Sequence, residues 1–143
     1  MKKWLRIIGI LAALGIIAAI LVYVFVYNKP HRNYEKAEAD YILDASALYS
    51  AYTSNKEEAN QKYTAKVIQI NGVLNKIEEA DSLVIAVFVF NQGLFGDEGI
   101  RCTLLPKFNQ RLKSLGLNTK IAIKGLCTGF NDTDIILEKC SIQ

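Results

Sequence analysis

The residues of this 143-residue chain with most chemistry in them are three cysteines, Cys102, Cys127 and Cys140, and a single histidine, His31. A zinc site takes four ligands of the Cys/His type, or three with an open position. No pair of these cysteines has C-x-x-C spacing, and His31 is remote from all three in sequence. Neither a metal centre nor a cofactor is therefore expected. The lone histidine also leaves no Ser/His/Asp set, and nothing activates a Ser or Thr nucleophile. Gly93, Gly96 and Gly99 imitate a phosphate cradle, but they connect two strands and no helix follows to supply a dipole. Glu78, Glu79 and Asp81 cluster at a charged stretch that lacks the spacing of a calcium loop. The chain is expected not to be an enzyme.

Binding offers more. In the run Leu83 to Phe90, Leu83, Ile85, Val87 and Val89 point one way, and Val84, Ala86, Phe88 and Phe90 the other. One set must fill a core. The other faces outward unless a helix covers it. Phe88, Phe90, Phe95 and Arg101 are the candidate binding residues, because aromatic rings can stack on a ligand there. No basic path accompanies them. An apolar face without a charged rim suits a protein or small-ligand partner at this place, and nucleic acid is not the expected partner. The alternative is that helices within 44–63 pack over this face.

The elements that position these residues follow from periodicity. Asp44 stands as an N-cap before a helical stretch, and Asn55 restarts one. Tyr49, Tyr52 and Tyr63 are expected to pack on a sheet. From Tyr63 the period becomes two. Lys66 to Leu74 is a strand with Gly72 inside it, which marks a bulge or a barrel corner. Lys76 to Ser82 is expected to turn the chain, and Asn91 to Gly99 to be a glycine-rich loop. Leu83–Phe90, Ile100–Leu104, Lys120–Phe130 and Ile135–Ile142 are four further strands. A short helix starts at Pro106 and stops at Gly116. Five strands with a helix between the third and fourth make the expected fold mainly β, a five-stranded OB-fold Greek-key barrel preceded by a helical segment.

Ile7 to Tyr27 carries no charge over 21 residues, enough helix to cross a bilayer core of about 30 Å. Its end is bulky rather than a small-x-small cleavage site, so the chain reads as an uncleaved signal anchor contacting lipid through residues 7–27. The expected organisation is a transmembrane helix at 1–28, a juxtamembrane linker at 29–43 and the OB domain at 44–143. Basic residues nearly balance across the segment. The absence of acids before it tips the expectation to a cytoplasmic N-terminus and an extracytoplasmic domain of a single-pass inner-membrane protein. From Asp40 onward the chain holds 11 basic and 12 acidic residues, so the basic surplus belongs to the membrane flanks. A domain built on phosphate contacts usually carries its own surplus.

The stretches Asn60-Gln61-Lys62-Tyr63, Lys66 to Val73, Arg101-Cys102, Lys124 to Gly129 and Ile135 to Ile142 together resemble the tRNA_anti-like OB-fold proteins of bacteria. The resemblance covers about residues 40–143. It implies a small envelope protein, with a lipoprotein signal or membrane segment ahead of the barrel. It does not imply tRNA binding. This chain has no cysteine near residue 20 to accept a lipid, so its anchor is expected to be the helix.

The expected activity is that of a membrane-anchored, non-catalytic OB-fold binding module. The alternative is a membrane-tethered single-stranded nucleic-acid-binding protein, which rests on fold analogy. Export would permit a disulfide. Cys127 and Cys140 lie on the two arms of the last hairpin and are the expected pair, provided that a one-residue bulge brings Cys140 to the inward face. Cys102 with Cys140 is the rival pairing, and a cytoplasmic domain would keep all three reduced.

Overall fold

The computed structural model describes residues 2–23, 33–94 and 96–143, with side chains in the first stretch given at Trp4 and from residue 12 on. The chain divides into two units, Met1–Arg32 and Asn33–Gln143. In the first, helix α1 runs Lys2–Val22. Its described side chains are exposed, with Leu14, Ile16, Ile17, Ile20, Leu21 and Val22 each more than half accessible. Among the described residues, no helix is long and apolar enough to cross a membrane. The end of the 7–27 segment, His31 and Phe95 lie outside the described residues.

The second unit is mainly β. Its elements are β1 (Tyr41–Asp44), α2 (Ala45–Ser54), α3 (Lys56–Tyr63), β2 (Val67–Val73), β3 (Lys76–Ala80), β4 (Leu83–Gly93), β5 (Gly96–Leu104), a 3-10 turn (Pro106–Phe108), α4 (Asn109–Ser114), β6 (Lys120–Phe130) and β7 (Asp134–Ile142). They form one sheet of seven strands, ordered β1-β2-β6-β7-β5-β4-β3. The expectation of five strands is corrected in two places. What was read as one strand and a charged turn is a bent run, β2 and β3, joined by Leu74 and Asn75. The Leu74 N–H donates to Thr119 O (2.9 Å) on the β6 side, and the Asn75 N–H to Val87 O (3.0 Å) on β4. The bend therefore joins the two flanks of the sheet. The turn that follows is only Asp81-Ser82, both at positive φ (46° and 72°), the conformation that two-residue hairpins need.

The second addition is β1, which pairs parallel with β2 (Tyr41↔Ile68 to Asp44↔Asn71) inside the stretch read as linker. Asp40 clamps its start: its N–H donates to Val67 O (2.7 Å), and its carboxylate accepts the Val67 N–H (2.8 Å). Upstream, Glu35 pairs with Lys107, and Lys139 stands over the Tyr34 ring at 4.9 Å. The chain is thus bound to the β unit from Tyr34 on.

The glycine-rich stretch is strand on both sides of its tip, at 91–93 and 96–99. Asn91, Gln92 and Gly93 pair with Glu98, Asp97 and Gly96. Gly72 is where close approach was needed. A Cβ there would sit 2.9 Å from both Ala45 Cβ and the Phe88 ring. That lets α2 and β4 close over the bend. Asn55 caps α3, its side chain accepting the Glu58 N–H (3.3 Å) while donating to Glu58 Oε2 (3.2 Å). Asp44 holds the N-cap position of α2 without a side-chain cap bond.

The core comprises Leu48 and Tyr52 from α2, Ile68 and Ile70 from β2, Phe88, Ile100, Ile123, Ile135 and Leu137, all essentially inaccessible. Leu112 of α4 closes it. The expected bulge is present in β7: Leu126 faces Glu138 but Lys124 faces Ser141, so β7 spends one extra residue. Lys139 takes it up at φ 52°. Beyond it Cys140 and Ile142 turn inward, with 0% and 6% exposure. The Cys127–Cys140 bridge, however, is not formed: all three cysteines are free and buried. Cys127 faces Leu137 across the hairpin. Cys140 lies over Gly125, where a Cβ would collide with its Sγ. The bulge thus carries Cys140 inward, without a bridge to Cys127.

Candidate binding face

Strands β3, β4, β5 and β7 present the outer surface on which binding was expected. Each candidate has a different fate. Phe88 points inward with Val84 and Ala86 and is fully buried, so it is core and offers nothing to a ligand. Parity along β4 would have put Phe90 inside as well. The register shifts between Val89, which faces Gly99, and Asn91, which faces Glu98. Phe90 is the extra residue of that bulge and is 38% exposed. Its ring stacks on Tyr49 of α2 at 5.1 Å with 23° between the planes. α2 therefore does cover part of this face. Arg101 emerges on the outer side of β5 but is not free, and Phe95 lies outside the described residues.

Arg101 is held from two sides. Its Nε donates to Asp134 Oδ2 on β7 (2.8 Å), and a terminal nitrogen pairs with Glu78 on β3. Asp134 also accepts the buried Gly99 N–H (3.0 Å). Burial would lower the guanidinium pKa, but the bonds to Asp134 and then Glu78 outweigh it and raise it. The result is an ion-pair ladder across the sheet. A second pair, Lys76 with Asp97, sits beside it, and its hydrogen bond holds the Asp97 carboxyl below the ordinary range. Glu79 is taken by Lys113 (2.8 Å). Glu78 and Glu79 of the acidic cluster noted in the sequence thus go to different cationic partners, and no group of His, Cys, Asp or Glu that could hold a metal occurs among the described residues.

At the outer end of the β4–β5 hairpin, Glu98 collects two donors, Tyr49 OH (3.4 Å) and Asn91 Nδ2 (2.8 Å). Burial, and then the Glu98 charge, raise the Tyr49 pKa. Beyond this knot Leu94 is 99% exposed. Sequence reasoning missed Tyr49, Glu98, Asp134 and Glu78 as parts of this face. Asp134 had one legible signal, an acid at the first position of a strand whose neighbour carries an arginine. The other three depended on the bulge and on the unforeseen β3. A separate groove of about 460 Å³ lies between α3 and the β6–β7 hairpin, lined by Asn60, Gln61, Thr64, Thr128, Gly129 and Phe130.

A family model described as tRNA_anti-like matches residues 1–142. Among solved structures, a lipoprotein of Klebsiella pneumoniae subsp. pneumoniae MGH 78578, provisionally described as nucleic acid-binding, superposes with a TM-score of 0.55 at 16% identity, over 71% of this chain and 90% of that one. Its likeness is one of fold. The Stn1–Ten1 complex of S. pombe gives a TM-score of 0.37 at 13% identity, over 54% of this chain and 57% of that one. Aspartyl tRNA synthetase of Entamoeba histolytica gives 0.43 at 9% identity, over 74% of this chain and 25% of that one. Among curated proteins none matches this chain.

Proposed function

The chain belongs to the tRNA_anti-like family, and from that premise we propose that it is a membrane-anchored, non-catalytic OB-fold binding module of the bacterial envelope. The reading of its binding surface is carried by one observation. Arg101, the cation best placed to meet a ligand on β5, is consumed by Asp134 and Glu78. The hairpin leaves two apolar residues, Phe90 and Leu94, open to a partner beside the uncharged Asn91 and Gln92. A face whose charges are internally paired and whose exposed end holds apolar and uncharged residues suits a protein partner better than a phosphate backbone.

The anchor is supported by the charge-free stretch Ile7 to Tyr27 and by the exposed apolar side chains of α1. In water the described apolar side chains of such a helix would stay unburied, which a lipid environment relieves. The Klebsiella neighbour is described as a lipoprotein, and this chain has no lipid-accepting cysteine near its start. The helix takes that role in this reading, with the β unit outside the cytoplasm. Carboxy-terminal fusions to an export-only and a cytoplasm-only reporter test it. Activity of the export-only fusion is the expected result, and activity of the other alone would place the domain inside.

Single-stranded nucleic acid is the second reading, favoured by the description of that same neighbour. The full chain in detergent is expected to bind a labelled oligonucleotide no tighter than roughly 10⁻⁴–10⁻⁶ M at physiological salt. A submicromolar, salt-sensitive complex that Phe90→Ala weakens would promote the second reading over the first.

A further inference from the structure

The groove between α3 and the β6–β7 hairpin shares no residue with the β4–β5 hairpin. Two of the stretches that carry the family resemblance, Asn60–Tyr63 and Lys124–Gly129, meet in it. A bulge shapes it. On β6 Cys127 faces Leu137 and Gly129 faces Ile136, so Thr128 is an extra residue. Gly129 follows at φ 127°. A bulge of this kind re-aims side chains. Thr128 is left exposed, and Phe130 returns to the inner side opposite Ile135, half-buried, its ring 5.6 Å from that of Tyr52. A Cβ at Gly129 would stand in the groove, 3.7 Å from Asn60 Oδ1 and 3.9 Å from Thr64 Oγ1. With glycine there, about 460 Å³ stays open, within the roughly 300–1,000 Å³ of small-molecule sites.

The lining sets the chemistry. It holds two amides, two hydroxyls and a phenyl ring, and no charged side chain. Lys62 is spent on the Tyr41 and Tyr63 rings, at 5.8 and 5.1 Å. Lys56, over the Phe130 ring at 5.7 Å, is paired with Asp132. A phosphate, carboxylate or ammonium would find no counter-charge in this lining. The Thr64 hydroxyl donates to Asn60 Oδ1 (3.3 Å), which leaves the Asn60 amide hydrogens to a ligand. The Thr128 hydroxyl donates to Ile136 O (3.2 Å), which leaves its oxygen as an acceptor. Gln61 is exposed and adds a donor and an acceptor side by side. A ligand hydroxyl both donates and accepts, so a row of hydroxyls matches this set. The Phe130 ring matches carbon-bound hydrogens. We propose that the groove is a binding site for an uncharged oligosaccharide: Asn60, Gln61 and Thr128 bond its hydroxyls, Thr64 orients Asn60, and Phe130 carries the apolar face of a sugar ring.

The test uses the full chain, purified in a detergent without a sugar head group. Saturation-transfer NMR and calorimetry are run with cellotetraose, maltotetraose and N-acetylchitotetraose, and with the anionic tetragalacturonate. At least one neutral tetrasaccharide is expected to bind with a millimolar or tighter Kd, and tetragalacturonate to bind more weakly than it. Gln61→Ala should weaken that complex by roughly two- to tenfold, the loss of one or two hydrogen bonds. Its melting temperature should not change, because the side chain is exposed. Thr128→Val, which keeps the shape and removes the oxygen, should weaken the complex by about twofold or more. No saturation transfer to any neutral tetrasaccharide at millimolar concentration, tighter binding of tetragalacturonate, or an affinity that both variants leave intact would overturn the proposal. The assay uses purified protein and sugar alone. Its outcome is therefore independent of the side of the membrane the domain occupies and of the protein partner at the β4–β5 hairpin.

Discussion

Asp134→Ala is expected to lower the stability of the β unit by about 2–4 kcal/mol. The Asp134 side chain is 9% exposed and holds two donors that have no other use for their protons there. Removing it strands the buried Gly99 N–H. It also leaves Arg101 with Glu78 alone, whose side chain is 41% exposed and therefore a partly screened partner. The figure sits below that of a fully buried pair because Arg101 keeps 26% of its side-chain surface in solvent. Asp134→Asn should lose about half as much, since an amide oxygen can still accept the Gly99 N–H while the charge is gone. Urea unfolding of the full chain in detergent, followed by far-UV circular dichroism, reads the difference as a lower midpoint at unchanged slope. An alanine variant within 0.5 kcal/mol of the parent would mean that the ladder is a surface feature without structural weight.

That ladder shows where legibility in the sequence ended. Strand β6 has the bounds that alternation predicts, Lys120–Phe130, with Ile123, Gly125 and Cys127 buried on one face and the ends of that face half-buried. The bulge in β7 was legible as well, since Cys140 and Ile142 could reach the inside only if the chain spent one extra residue. β3 was not. Lys76-Ile77-Glu78-Glu79-Ala80 is charged and short, and it reads as a turn. Its pairing to β4 comes from the bend at Leu74-Asn75, which no period encodes. β1 failed in the same way: four residues, one of them Ile42 at 65% exposure, form a strand only because Asp40 clamps them to Val67. The candidate face inherits these misses. Arg101 was read as open because Glu78 was placed in a turn, and Phe90 was given the parity of Phe88 because the bulge between Val89 and Asn91 has no sequence mark.

The two phenylalanines of β4 therefore separate stability from recognition. Phe88→Ala is expected to cost about 3–5 kcal/mol, the range for deleting a fully buried aromatic ring. The Phe88 ring lies against the site of Gly72, with Cδ1 2.9 Å from where a Cβ would be. α2 and the β2–β3 bend close over that contact, in the same buried cluster as Phe88. Phe88→Leu should recover most of the loss. Phe90→Ala, by contrast, removes a ring that is 38% exposed and rests on Tyr49. An aromatic pair of this kind adds about 0.5–1.5 kcal/mol, so that variant should melt within a few degrees of the parent while losing whatever partner crosslinks at the hairpin. Thermal unfolding of both variants, with in-membrane crosslinking of Phe90→Ala, measures the two effects apart. Were Phe88→Ala to melt like the parent, β4 would have to present its other face to the core. Leu83, Ile85 and Val89 would then be buried, and the ion-pair ladder would fall on the core side of the sheet, where the charges of Glu78 and Arg101 would lose the water that now screens them.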